Sequence, residues 1–150
     1  MRSTSPSGRE YGIMGTSSGT AFFEVTDPAN TQLIDWIDGN NSLWRDIKVY
    51  GGFAYSVTEG SGGIQVISMA NIDNGSVSLV NTIDDVSTAN SHNVAIDEDS
   101  GFLYRCGDTE QPVVVLSGSH NHQPTGHLAS GRQGYRAARE QVTKCSVAEC

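Results

Sequence analysis

Apolar residues along this chain come in short runs separated by Gly, Asn, Asp and Ser, and within most runs they alternate with polar ones. Phe22, Phe23 and Val25 form one run; Ile47 and Val49, then Phe53 and Tyr55, form two more on either side of Gly51-Gly52. Ile64, Val66 and Ile67 follow, then Leu79, Val80 and Ile83, Val94 and Ile96, Phe102 and Tyr104, and Val113 to Leu116. A spacing of two is the strand period, so the pattern predicts a series of short strands. It also predicts that Ile47, Val49, Phe53, Tyr55, Val66, Val94, Ile96, Phe102 and Tyr104 are largely buried. No stretch before residue 130 holds a 3.6-residue stripe, and the one helix-like segment is Arg136 to Thr143, where Ala137, Ala138 and Arg139 are good helix formers.

The strands are not independent of one another. Arg45-Asp46-Ile47-Lys48-Val49 matches His92-Asn93-Val94-Ala95-Ile96: a polar pair, then apolar–x–apolar. Each segment runs through a turn into an aromatic strand, Gly52-Phe53-Ala54-Tyr55 in one case and Gly101-Phe102-Leu103-Tyr104 in the other. Gly19-Thr20-Ala21-Phe22-Phe23 similarly matches Gly63-Ile64-Gln65-Val66-Ile67, and Tyr11-Gly12-Ile13 matches Phe53-Ala54-Tyr55. The offsets define a unit of roughly 45 residues with about four short strands, the size of a β-propeller blade. A single β-sandwich is the competing arrangement, since sandwiches also place short strands at regular spacing.

At these residues the sequence resembles the LVIVD-repeat propellers, in particular the choice-of-anchor B family of bacterial surface proteins. The segments that carry the resemblance are Gly19 to Asn30, Leu43 to Tyr50, Gly63 to Ile67 and Ser91 to Tyr104, within residues 10–108. The resemblance implies a secreted or cell-surface propeller with no catalytic residues to carry over. The expected fold is therefore all-β: a partial propeller of about three four-stranded units, with an irregular C-terminal tail. Residues 1–9 are expected to be a flexible lead-in. Units of about 10–43, 44–90 and 91–117 follow, and 118–150 are expected to be a tail that departs from the family pattern. Closed propellers need about 4–8 blades, so this set is expected to be an open part of a ring. Its exposed sheet edges would favour self-association.

Charge narrows the partners. Nine Lys and Arg stand against 17 Asp and Glu, a formal charge of −8. The basic footprint that phosphate backbones require is missing, so nucleic-acid binding is not expected. The longest aliphatic run, Val113 to Leu116, is far too short for a membrane span. No apolar stretch follows Met1, so no secretory signal is read in this chain, and an extracellular or cell-surface location comes from the resemblance alone. The tail differs in composition: Arg132, Arg136, Arg139 and Lys144 oppose only Glu140 and Glu149. The three cysteines, Cys106, Cys145 and Cys150, fit no zinc or redox spacing.

Few residues suggest chemistry. His120, His122 and His127 form the most metal-like cluster, but their Gly, Ser, Asn and Pro surroundings offer no rigid support, so a surface cluster is the better reading. Asp97 to Gly101 has alternating carboxylates without the other ligands of a calcium loop, and a solvated hairpin turn is expected. Glu59 to Gly63 is glycine-rich but has no Lys and precedes a strand, which makes it a hairpin connection rather than a phosphate loop. Asp35, Asp38, Asp84 and Asp85 are acids of the kind found on most surfaces. The polar pairs stand out because they recur at one place in the unit. Arg45, Asp46, His92 and Asn93 are therefore the candidate ligand-binding residues, expected at one rim; the alternative is that they bond neighbouring backbone. No catalytic residue and no cofactor is read from the sequence. The expected function is binding of an unidentified extracellular or cell-surface ligand. The alternatives are an enzyme or metal-binding propeller with its site at the channel mouth, and a purely structural surface repeat.

Overall fold

The computed structural model describes residues 1–84, 90–99, 101–106, 113–115 and 127–128. Among these residues the chain is all-β, with two short 3₁₀ turns and no α-helix. Strands β1 (Arg2–Thr4), β2 (Glu10–Thr16), β3 (Gly19–Glu24) and β4 (Gln32–Asp38) form the first antiparallel sheet in that order. The second sheet is β5 (Arg45–Tyr50), β6 (Phe53–Thr58), β7 (Ile64–Ser68) and β8 (Ser78–Ile83). The third is β9 (Asn93–Asp97), β10 (Phe102–Cys106), β11 (Val113–Val115) and β12 (His127–Leu128). No sheet closes on itself.

Local chemistry explains the hairpins. Gly51 and Gly52 both have positive φ, 59° and 81°, the geometry a two-residue turn needs to match the twist of β5 and β6. Gly63 (φ 69°) sits where an added Cβ would run into the Ile83 carbonyl, so only glycine lets the start of β7 lie against the end of β8. The Asp97 to Gly101 connection is a turn as expected: Asp97 Oδ1 accepts from the Asp99 N–H at 3.1 Å, and the Gly101 N–H donates to the Asp97 carbonyl at 2.9 Å.

The first two sheets share details beyond strand number. In each, the pairing of the third and fourth strands shifts at one point, between Phe22 and Phe23 in β3 and between Val66 and Ile67 in β7. The extra residues are Ile34 in β4 and Val80 in β8. A 3₁₀ turn follows each third strand, at Pro28–Asn30 and at Ile72–Asn74.

The second sheet is packed on both faces. Tyr11, Ile13 and Phe22 of the first sheet meet Ile47, Ala54, Ile67, Met69, Ile72 and Val77 in one apolar cluster. Tyr55, Val57, Ile64 and Val66 meet Val94 and Leu103 of the third sheet in another. Strand alternation sorts them: Ala54 faces one way, Tyr55 and Val57 the other. Of the residues expected to be buried, Ile47, Tyr55, Val66, Val94 and Tyr104 are buried, while Val49, Phe53, Ile96 and Phe102 are half-buried. The outer face of the first sheet leaves Met14, Leu33 and Trp36 exposed.

The sequence-based boundaries miss strands at both ends. Residues 1–9, expected to be a flexible lead-in, contain β1, which pairs with β2 through Arg2–Gly12, Ser3–Tyr11 and Thr4–Glu10. The Met1 ammonium also donates to the Ile13 carbonyl at 2.8 Å. Arg2-Ser3-Thr4 carries no apolar alternation because its contribution is backbone pairing. Residues 118–150, expected to be irregular, supply β12, which pairs Leu128 with Val114 and His127 with Val115. The sheets thus extend over 2–38, 45–83 and 93–128. The expected helix at 136–143, His120, His122, Asp85, Cys145 and Cys150 lie outside the described residues. No helix among the described residues is long and apolar enough to cross a membrane.

Candidate functional site

The four expected site residues sit at one end of the second and third sheets, where β5 and β9 begin. Trp44, next to Arg45, stacks on His92 with ring centroids 4.4 Å apart and planes 8° from parallel. Its indole N–H donates to Asn93 Oδ1 at 3.3 Å. His92 Nδ1 donates to Glu59 Oε1 at 2.6 Å, since an ionised carboxylate only accepts. Leu43 beside this stack is fully exposed.

Arg45 and Asp46 are engaged in joining sheets. Adjacent residues on a strand face opposite ways, and these two reach different neighbours. Arg45 Nε donates to the Thr16 carbonyl of β2 at 3.2 Å, and Nη2 donates to the Asn40 carbonyl at 2.7 Å. Burial lowers the Arg45 pKa from its ordinary value, but a guanidinium remains a cation at neutral pH. On the other face, Asp46 Oδ2 accepts from the Val94 N–H of β9 at 2.9 Å, and Oδ1 accepts from the Ile47 N–H at 2.9 Å. Lys48 Nζ lies 3.4 Å from Asp46 Oδ1. The alternative of bonds to neighbouring backbone therefore describes Arg45 and Asp46.

A polar cleft of about 490 Å³ opens beside Arg45, at the same end, between the first and second sheets. Its walls include Asp38, Arg45, Ser56, Thr58, Gln65, Thr82 and Asp84, with Gly39 close to the Arg45 guanidinium, Gly62 close to the Asn40 side chain and Gly63 close to the Ile83 carbonyl. Gln65 is held by its amide: Nε2 donates to the Asp38 carbonyl at 2.7 Å. The other end of that amide, Oε1, is buried with no donor from the described residues. A buried acceptor left unmade costs about 1–3 kcal/mol, so this atom is a standing demand for an O–H or N–H group.

The cleft was not legible as a site in the sequence. Asp38 and Asp84 read as surface acids, Glu59 to Gly63 as a connection and Gln65 as part of a strand, and Thr82 belongs to no motif. Only the register that sets β4 against β3 and β8 against β7 brings them together. Register also exposes a contrast. Ser56 pairs with Ile47 in the second sheet, and Arg105 takes the same position opposite Val94 in the third. Ser56 meets Thr20 at 2.9 Å, whereas Arg105 is 2% exposed and donates to Ser91 Oγ and to the Asn90 carbonyl, each at 2.6 Å.

Of the weak metal candidates only His127 falls among the described residues, in β12. No group of three His, Cys, Asp or Glu among the described residues is placed to hold a metal ion. No family model, no curated protein and no solved structure matches this chain.

Proposed function

We propose that the chain is a set of propeller blades of the LVIVD-repeat, choice-of-anchor B type. On this reading it acts outside the cell or at its surface as a binding module, with no catalysis of its own. The observation that carries this reading is the convergence at one rim of features drawn from several segments of the chain. The Trp44–His92 stack, the exposed Leu43 and the cleft at Asp38, Gln65 and Asp84 all lie around the start of β5, the stack toward β9 and the cleft toward the first sheet. Face-to-face stacking of four-stranded sheets, matching offsets of the pairing shifts and matching 3₁₀ turns support the blade reading.

Among the described residues the rim offers aromatic and hydrogen-bonding groups but no nucleophile paired with a base, which favours binding over turnover. The test is to present the full chain to arrays of extracellular glycans, peptides and cell-wall polymers, alongside a hydrolase substrate screen. The expected result is saturable binding weakened by Trp44→Ala, without turnover. Turnover lost on substituting a cleft carboxylate would establish the enzyme alternative. Absence of binding to every array would leave the structural-repeat alternative.

A further inference from the structure

We infer that the cleft between the first and second sheets is a subsite for a neutral polyhydroxyl ligand, a mono- or disaccharide. The inference rests on the binding-module reading above and names the ligand class that one part of the rim takes.

Volume and lining select this chemistry. About 490 Å³ lies within the roughly 300–1,000 Å³ range of small-molecule sites. The lining mixes carboxylates (Asp38, Asp84), hydroxyls (Ser56, Thr58, Thr82), an amide (Gln65) and a guanidinium (Arg45). An anionic ligand fits poorly: two carboxylates face one guanidinium, whose Nε and Nη2 already donate to Thr16 and Asn40. A metal ion fits poorly too, because the Arg45 cation stands in the wall and the described carboxylates do not gather in threes. A hydroxyl group meets both requirements. It donates to a carboxylate or to an amide oxygen, and it accepts from a threonine hydroxyl.

Gln65 sharpens the assignment. Its amide plane is fixed through Nε2 to the Asp38 carbonyl, so Oε1 is a buried, oriented acceptor without a donor from the described residues. A ligand hydroxyl supplies that donor as water would, and it does so with several hydroxyls held in one rigid ring. Close packing fixes the loop that borders the space: an added Cβ would meet the Asn40 side chain at Gly62 and the Ile83 carbonyl at Gly63.

The experiment is titration calorimetry of the full chain with glucose, galactose, mannose, N-acetylglucosamine and their common disaccharides. Calcium chloride and sodium phosphate are titrated in parallel. The expected result is saturable binding of at least one neutral saccharide. Gln65→Leu and Thr82→Val should each weaken it tenfold or more while the β-sheet circular-dichroism signal is retained. Saccharide binding that both variants leave unchanged would overturn the inference, as would no saccharide binding at all. Calcium or phosphate binding in place of saccharide would overturn it as well, yet leave the binding-module reading standing. If either variant fails to fold, amide chemical-shift mapping in the unaltered chain decides. Saccharide-induced shifts should centre on Thr58, Gln65 and Thr82, and shifts confined elsewhere would reject the cleft.

Discussion

The two faces of the second sheet solve one packing problem in different ways. Toward the first sheet, the apolar cluster around Phe22, Ile47 and Ile67 gives way to the polar cleft. There Ser56 is small and Arg45 lies along the wall, donating to the backbone of β2. Toward the third sheet, the cluster around Tyr55, Val66 and Leu103 is joined by the Asp46 bond to the Val94 N–H, and the position matching Ser56 holds the buried Arg105. One interface leaves room for a small molecule; the other places its guanidinium inside. Two adjacent residues of β5 tie the middle sheet to both neighbours, and the size of a single residue on the second strand separates the two outcomes.

The comparison breaks most sharply in the cores. Phe22→Ala should cost about 3–5 kcal/mol, and Leu103→Ala about 2–5 kcal/mol. If the sheets are coupled through nearest neighbours, as in stacked repeats, hydrogen exchange should rise first in the first sheet for Phe22→Ala and first in the third for Leu103→Ala. Equal loss of protection in all three sheets would show a single cooperative unit.

Next in size is the Asp46 bond. Asp46→Ala strands a buried N–H, so a loss of about 1–3 kcal/mol is expected. Asp46→Asn, which keeps an acceptor, should recover part of it. The readout is denaturant unfolding together with exchange at the Val94 amide. Arg45→Ala should cost less, about 1 kcal/mol, because the Asn40 carbonyl is exposed and water replaces the donor.

A third effect belongs to the first interface and depends on pH. Tyr11 donates to Asp73 Oδ1 at 2.8 Å, and burial, followed by that bond and the Asp73 charge, pushes its pKa up to about 12. A raised folded-state pKa contributes stability that is full below the unfolded value near 10 and is lost as pH rises to 12. Tyr55 at the second interface is also raised, mainly by burial. Tyr11→Phe and Tyr55→Phe should each remove part of the alkaline loss, measured as melting temperature between pH 9 and 12. On the acid side, the hydroxyls of Ser5 and Tyr11 lower the Asp73 pKa. Its contribution is therefore present above the ordinary carboxylate pKa and lost as pH falls below it. Comparable in size to Arg45→Ala is Trp44→Ala, about 0.5–1.5 kcal/mol from the ring stack, with a larger change in rim binding than in stability.

Sequence alternation made most of the second sheet legible, because Ile47, Tyr55 and Val66 occupy regular strand positions, Ile47 facing the first sheet and Tyr55 and Val66 the third. It failed at β1, where Arg2-Ser3-Thr4 pairs through backbone alone, and at β12, where two residues suffice. In β4 the shift in pairing turns Ile34 inward and leaves the neighbouring Leu33 exposed, so counting by twos across Leu33-Ile34-Asp35 misleads. For the site, the recurrence of polar pairs picked out residues that the structure places near the starts of β5 and β9. It could not show that Arg45 and Asp46 face apart, because their targets at Thr16 and Val94 are fixed only by how sheets stack. The cleft was hidden for the same reason: its walls come from β4, β5, β6, β7, β8 and the segment after β8.

The paired shifts at Ile34 and Val80 bear on how these sheets resist fibril growth. Both lie in edge strands, β4 and β8, the kind of position from which a flat row of backbone groups could template a further strand. An extra residue there bends the edge and increases its twist, so no long flat row of N–H and C=O groups is presented to an incoming chain. Asp35 and Asp38 add negative charge to the same stretch of β4. The irregularity that confuses the hydrophobic pattern thus also makes the β4 and β8 edges poor seeds for amyloid.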